Sequence, residues 1–170
     1  NTVVKSSDYT DRYVTYDVLD DGFGQGALYT VVNQAENLPT MYQKFYVYKD
    51  MPYALVQVEL GSDNEISTNF MAPISTSGEN VVDIGTKTDA RALFVPFSND
   101  GYTAYNPETL NGAHTSYFVT AIFDNNSRNS VIAGSVDHDT WKTGTSTWAT
   151  ADNGNINFFG AFAGINSKEF

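Results

Sequence analysis

The densest group of chemically capable side chains lies between residues 136 and 144, in VDHDTWKTG. One of the two histidines and one of the two tryptophans stand there, His138 and Trp141, beside Asp137, Asp139 and Lys142. Two chemistries can be built from such a set. A flat indole packs on the apolar C–H face of a sugar ring while carboxylates, imidazole and ammonium hold its hydroxyls. Carboxylates and imidazole can instead hold a metal. Successive side chains on a strand point to opposite faces, so an extended segment would put Asp137 and Asp139 on one face and His138 on the other, which disfavours zinc. Trp148, seven residues past Trp141 in the polar segment TGTSTWATADNGN, is the second candidate platform, on a stretch that reads as loop. The structural alternative makes one tryptophan core and the other a cover for a sheet edge.

Other polar residues extend the candidate ligand-binding set. Asp100 and Tyr102 flank Gly101 in FVPFSNDGY, at the turn read over Ser98-Asn99-Asp100-Gly101. Arg91 opens a strand, and it either forms a structural ion pair or reaches a ligand at the rim; Arg128 reads as a structural ion-pair partner. The set is then Trp141, Trp148, His138, Asp139, Lys142, Asp100, Tyr102 and Arg91. Calcium needs six to eight oxygens. Asn99-Asp100-Gly101 and Asp124-Asn125-Asn126 offer some, although turn formation explains both. No cofactor is called for, and a structural calcium is the one metal left open.

Catalytic motifs are missing. Nothing resembles Gly-x-Ser-x-Gly, a P-loop or His-Glu-x-x-His. GFGQG, residues 22 to 26, is a glycine-rich turn with no helix after it, so it does not cradle phosphate. A glycosidase needs two carboxylates about 5–10 Å apart, and with 20 acidic residues some pair always meets that spacing.

These side chains need elements to position them. No stretch keeps a 3.6-residue period over ten residues, whereas two-residue alternation recurs between Gly, Asn, Asp and Pro clusters. RYVTYDVLDDGFGQGALYTVVNQ is a hairpin turning at Asp20-Asp21-Gly22. MYQKFYVYKDMPYALVQVELG is another, turning at Asp50-Met51-Pro52. FMAPISTSGENVVDIG and ARALFVPF are strands, SYFVTAIFDNNSRNSVIAGSV is a hairpin around Asn125–Asn129, and INFFGAFAGI is a last strand. The connection over 103–115 is a loop or a short helical turn. The expectation is one all-β domain over 1–170, an antiparallel sandwich of about nine or ten strands.

Composition narrows the partners. With 9 basic and 20 acidic residues the net charge is −11, which repels phosphate backbones and anionic lipid, so neither nucleic acid nor membrane is an expected partner. There is no cysteine, hence no disulfide or thiolate chemistry. The 11 Tyr, 11 Phe and 2 Trp favour strands. The opening NTVVKSSDYT has neither the basic start nor the apolar stretch of a signal peptide. The chain reads as a mature protein or as a domain excised from a larger multidomain enzyme.

Two segments carry a family likeness. QKFYVYKDMPYALVQVEL, residues 43–60, resembles the hairpin that recurs in galactose-mutarotase-like β-sandwiches at the front of large glycosidases. ARALFVPFSNDGYTAYN, with TSYFVTAIFDNNSRNSVIAGSVDHDTWKTG after it, resembles the amino-terminal sandwich that precedes the barrel in bacterial relatives of α-galactosidases, glycoside hydrolase family 36 and its neighbours. The likeness spans roughly residues 43–165, and DHDTWKTG and FVPFSNDGY are its most specific pieces. It implies that catalytic carboxylates lie on an attached barrel of about 250 residues, for which this chain is too short. The implied role is a non-catalytic carbohydrate-binding module, extracellular or periplasmic, that brings an attached glycoside hydrolase to a polysaccharide. The alternative is a structural ancillary sandwich that packs on the barrel and has no ligand. A small lyase or hydrolase on a sandwich is a third reading.

Overall fold

The computed structural model describes residues 2–97, 105–150 and 154–164. The chain is all-β, and its only described helix is a single 3-10 turn at Ser6–Asp8. It divides into two compact units, Asn1–Thr68 and Asn69–Phe170.

The first unit is an antiparallel meander of four strands in sequence order, β1 (Asp11–Asp21), β2 (Gly24–Gln34), β3 (Thr40–Tyr48) and β4 (Ala54–Gly61). Its register follows from the alternation. Tyr16, Tyr29, Phe45 and Val56 stand in one row across the four strands, and Val18, Ala27, Val47 and Ala54 in another on the same face. That face is apolar. The opposite face is mixed: Leu28, Val32 and Leu55 stand on it beside polar pairs, Lys44 meeting Glu59 at 2.7 Å and the Tyr46 hydroxyl donating to Gln57 at 2.9 Å. Tyr48, buried on this second face, donates its hydroxyl to Asp21 at 3.0 Å across the turn. Gly26 lies opposite Tyr48, and a Cβ there would stand 2.2 Å from the Val47 carbonyl oxygen. Only glycine permits that approach of β2 to β3.

The second unit is a two-layer sandwich. Its strands are β5 (Phe70–Val82), β6 (Ala90–Phe94), β7 (Asn106–Thr109), β8 (Gly112–Tyr117), β9 (Val119–Asp124), β10 (Ser130–Gly134), β11 (Thr143–Ala149) and β12 (Ile156–Gly164). One sheet runs β10-β9-β6-β7 and the other β5-β12-β11-β8. Between them Ile84, Ala92, Leu110, Ile122, Ala149, Ile156 and Phe159 form the core. Hydroxyls make up much of the rest of the interior. Ser116, Thr120, Thr143, Thr145 and Thr147 are all buried, with Thr120 donating to the Leu93 carbonyl at 3.0 Å and Ser116 to that of Val119 at 2.7 Å. A buried hydroxyl is tolerated when it finds an acceptor.

Twelve strands stand among the described residues, against the nine or ten expected. The stretch within 103–115 expected as loop or helical turn carries β7 and the start of β8, and TGTSTWA, expected as loop, is β11. Their alternation is of Thr and Ser inward against Gly, Ser and Trp outward, which hydropathy reads as uniformly polar.

Candidate functional site: an aromatic rim

The segment that drew attention in the sequence is the connection from β10 to β11. It is a loop rather than a continued strand, so the two-face rule does not order Asp137, His138 and Asp139. Its ends are fastened to one residue. The Ser135 N–H donates to the Phe118 carbonyl at 2.9 Å, and the Phe118 N–H donates to the Thr143 carbonyl at 3.0 Å. The Ser135 and Thr143 hydroxyls close the loop's neck at 2.7 Å, and Ser135 also meets His138 Nδ1 at 3.3 Å. Phe118 is the single residue between β8 and β9, where the chain leaves one sheet for the other, and its φ is +66°. A bulky residue in the left-handed region costs on the order of 1–3 kcal/mol and persists only where its surroundings dictate it.

A run of rings gathers around this corner. Phe118 stacks on Phe97 with centroids 6.0 Å apart and lies 5.3 Å from the His138 ring. Phe97 meets Tyr117 edge-on at 5.4 Å, Tyr117 meets Phe162 at 6.5 Å, and Phe162 stacks on Phe70 at 5.6 Å. Lys142 Nζ lies 4.8 Å from the Phe97 centroid and 4.6 Å from that of Tyr117, within cation–π range of both. Trp141 and Phe97 are half exposed, at 51% and 50%, and His138 and Asp139 are exposed. The arrangement offers flat apolar surface beside an imidazole, a carboxylate and an ammonium.

Trp148 lies elsewhere. It is on β11, directly opposite Phe158 and Ala113, with its ring on the outer face of the sheet at 45% exposure. Six residues of extended chain, at about 3.3 Å each, separate it from Lys142, so the two tryptophans mark opposite ends of one strand. Between them the outer face is low. Gly144 and Ser146 on β11 stand beside Gly160 on β12 and Thr115 on β8. The Phe162 ring closes over Gly144, where a Cβ would be 2.8 Å from it, and the Phe158 ring lies 3.1 Å from the corresponding point of Gly160. The rings cover both glycines and leave a short low floor at Ser146 and Thr115, with Tyr117 and Phe162 at one end and Trp148 and Phe158 at the other.

Arg91 is not part of the rim. It pairs in register with Phe123 at the far end of β9, a strand's length from Phe118. Its Nε donates to Asp89 at 2.7 Å, and Arg91 first, then Asn125, holds the Asp89 carboxyl below its usual pKa. That is the structural ion pair. Next to it Asp124, fully buried, accepts the backbone N–H groups of Asp89 at 2.6 Å, Ser127 at 2.7 Å, Thr88 at 2.8 Å and Asn126 at 3.2 Å. The N–H of Asp89 above all, then that of Ser127, holds this carboxyl well below the usual carboxylate range, against the opposing effect of burial. In the Asp124-Asn125-Asn126 loop, then, the aspartate oxygens serve the backbone. Asp100 and Tyr102, and with them the other loop offered for calcium, lie outside the described residues. Among the described residues no three His, Asp or Glu side chains converge as metal ligands.

Phe97, Tyr117, Phe118 and Phe162 were not singled out in the sequence. The adjacent pair Tyr117-Phe118 carries the one signal: two aromatics together cannot both face a core from a regular strand, so a corner or an exposed ring has to follow. Comparison with protein-family models, with curated proteins and with solved structures finds no match to this chain.

Proposed function

We propose that the second unit binds carbohydrate without cleaving it, at the aromatic rim around Phe118 and along the floor between Tyr117 and Trp148. The observation that carries this reading is the run of rings through Phe118, the half-exposed Phe97 and Tyr117, with Lys142 over two of them, His138 against Phe118, and the exposed Trp141 and Asp139 on the same loop. Sugar rings are recognised by such a mixture, an apolar platform for the C–H face and polar groups at its border for the hydroxyls. The length of β11 between the rim and Trp148 suits several sugar residues in line, hence a polysaccharide rather than a monosaccharide. In this reading the unit stands beside a catalytic domain, outside the cytoplasm, where such polymers occur.

Affinity electrophoresis against a panel of plant, algal and microbial polysaccharides tests the proposal. The chain is retarded by at least one polymer and releases no reducing sugar from it. Passage through every gel without retardation would overturn the reading.

A second reading rests on a different observation. The apolar face of the first unit leaves Val14, Val18, Tyr16, Tyr29 and Val47 open to solvent, and a broad apolar surface is what an ancillary domain presents to the protein it packs on. It applies to the first unit and competes with no residue of the rim.

A further inference from the structure

We infer that β1 is an assembly edge, and that its occupant is the β1 of a second copy of this chain, paired antiparallel about a two-fold axis at Tyr16. The inference is independent of the carbohydrate reading.

The argument starts from how the sheet edges are managed. An edge strand offers unpaired N–H and C=O groups, and proteins blunt such edges with short strands, bulges, proline or charged side chains, lysine above all. In the second unit every edge carries one of these. β7 has four residues and contains Pro107, β10 has five, β8 has six, and β5 contains Pro73 and pairs with β12 through two register shifts. In the first unit β4 has eight residues and is partly covered along most of its length. β1 has eleven residues, pairs with β2 without a break in register, contains neither lysine nor proline, carries four of its five charges at its two ends (Asp11 and Arg12, Asp20 and Asp21), and is exposed at every position but Leu19. Val14 is 60%, Tyr16 58% and Val18 78% exposed.

The sequence of this edge is complementary to itself in one register. An antiparallel partner must keep the apolar faces together, which requires even-numbered residues opposite even-numbered ones. Centring the pairing on Tyr16 sets Tyr16 against Tyr16 once, on the axis, and Val14 against Val18 and Arg12 against Asp20 of the second copy twice each, all on the apolar face. On the other face Tyr13 meets Leu19 and Thr15 meets Asp17. Centring on Thr15 instead sets Arg12 against Val18, and centring on Asp17 sets two aspartates together. Both charged side chains already bond within their own copy. Arg12 is fixed by hydrogen bonds to Asn33 at 2.6 Å and to the Ser6 carbonyl at 2.7 Å, and Asp20 by Gln25 at 3.2 Å. The one like-charge pair, Asp11 with Asp21, falls at the outer ends, where the oxygens of Asp21 are already taken by the Phe23 N–H and the Tyr48 hydroxyl.

Because the chain has no cysteine, one introduced thiol reports the pairing without interference. Opposed Cα atoms in an antiparallel pair are about 4.5–5.5 Å apart, within disulfide range. Tyr16→Cys therefore crosslinks into a covalent dimer under mild oxidation, whereas Val47→Cys, on the same face but two strands from the edge, stays monomeric. Sedimentation velocity shows a concentration-dependent dimer, and Asp20→Lys weakens it about tenfold or more by placing like charges opposite one another twice. A monomer at all concentrations, with Tyr16→Cys crosslinking no better than Val47→Cys, would overturn the proposal and leave the edge to a strand of another protein. A dimer indifferent to Asp20→Lys and without preferential Tyr16→Cys crosslinking would overturn it equally.

Discussion

Phe118 stacks on Phe97, centroids 6.0 Å apart and ring planes 20° from parallel, and it does so from a backbone φ of +66°. The corner is set by the change of sheet between β8 and β9 and fastened by hydrogen bonds at both the N–H and the C=O of this residue. A β-carbon at that φ is unfavourable, so the usual order of alanine and glycine reverses. Phe118→Ala and Phe118→Gly lose the same ring, yet Phe118→Gly is the more stable variant by about 1 kcal/mol, read from chemical denaturation. An alanine variant more stable than the glycine variant contradicts the account of the corner.

Acid sensitivity follows from Asp124. The folded state favours its carboxylate, so the stability it contributes is complete above the ordinary aspartate pKa of about 3.9 and is lost as the pH falls below that value toward the depressed folded one. Asp124→Asn turns an NH₂ group toward a nest of N–H donors. Its melting temperature at neutral pH falls by several degrees and changes less than that of the parent on acidification. Equal melting temperatures at neutral pH would remove Asp124 from the account of stability.

At the alkaline end the relevant group is Tyr48. Burial first, then its hydrogen bond to Asp21, pushes the phenol up to about 12. The folded state resists losing this proton. The contribution is therefore complete below the ordinary tyrosine pKa of about 10 and is lost as the pH rises from there through about 12. Tyr48→Phe has no proton to lose, so its urea midpoint declines less than the parent's over that interval. Parallel declines would show that Tyr48 does not govern this limb.

Gly26 marks the closest approach of β2 and β3. A methyl group there meets the Val47 oxygen and the Tyr48 Cα, both backbone, so the strands must separate. Gly26→Ala costs about 1–3 kcal/mol, while Gly22→Ala, with nothing within 4 Å of the new carbon, is neutral to slightly stabilising. Comparable effects at the two positions would refute the register between β2 and β3.

Nine of the strands were legible as alternation broken by turn residues: β1 to β6, β9, β10 and β12. β1 to β4 were clearest, because hydrophobic residues such as Val31, Phe45 and Val56 recur every second position on one face and the turns carry Asp, Gly and Pro. β11 was not legible, because its inward residues are Thr143, Thr145 and Thr147, whose hydroxyls make them polar on any hydropathy scale although they are buried. The site divides in the same way. The polar loop residues His138, Asp139 and Lys142 drew attention by type. Phe118 and Phe162 owe their positions to a change of sheet and to a glycine on the neighbouring strand, and neither relationship is local in sequence. Arg91, weighed as a ligand contact, is an ion-pair partner of Asp89 two residues away.

The central claim is that the rim and floor of the second unit hold a sugar chain, and titration of Trp141→Ala and Trp148→Ala with oligosaccharides of increasing length tests it most directly. Both indoles are about half exposed, so each change costs less stability than the ~3–5 kcal/mol of a fully buried tryptophan. Stacking on an exposed aromatic is worth about 1–3 kcal/mol for a nucleobase, and a sugar face is weaker, so Trp141→Ala reduces affinity about tenfold for short and long ligands alike. Trp148, at the other end of β11, contributes only once the ligand spans the floor, so Trp148→Ala spares short oligosaccharides and weakens binding of long ones. Unchanged affinity of both variants for every length, with their melting temperatures intact, would contradict the account.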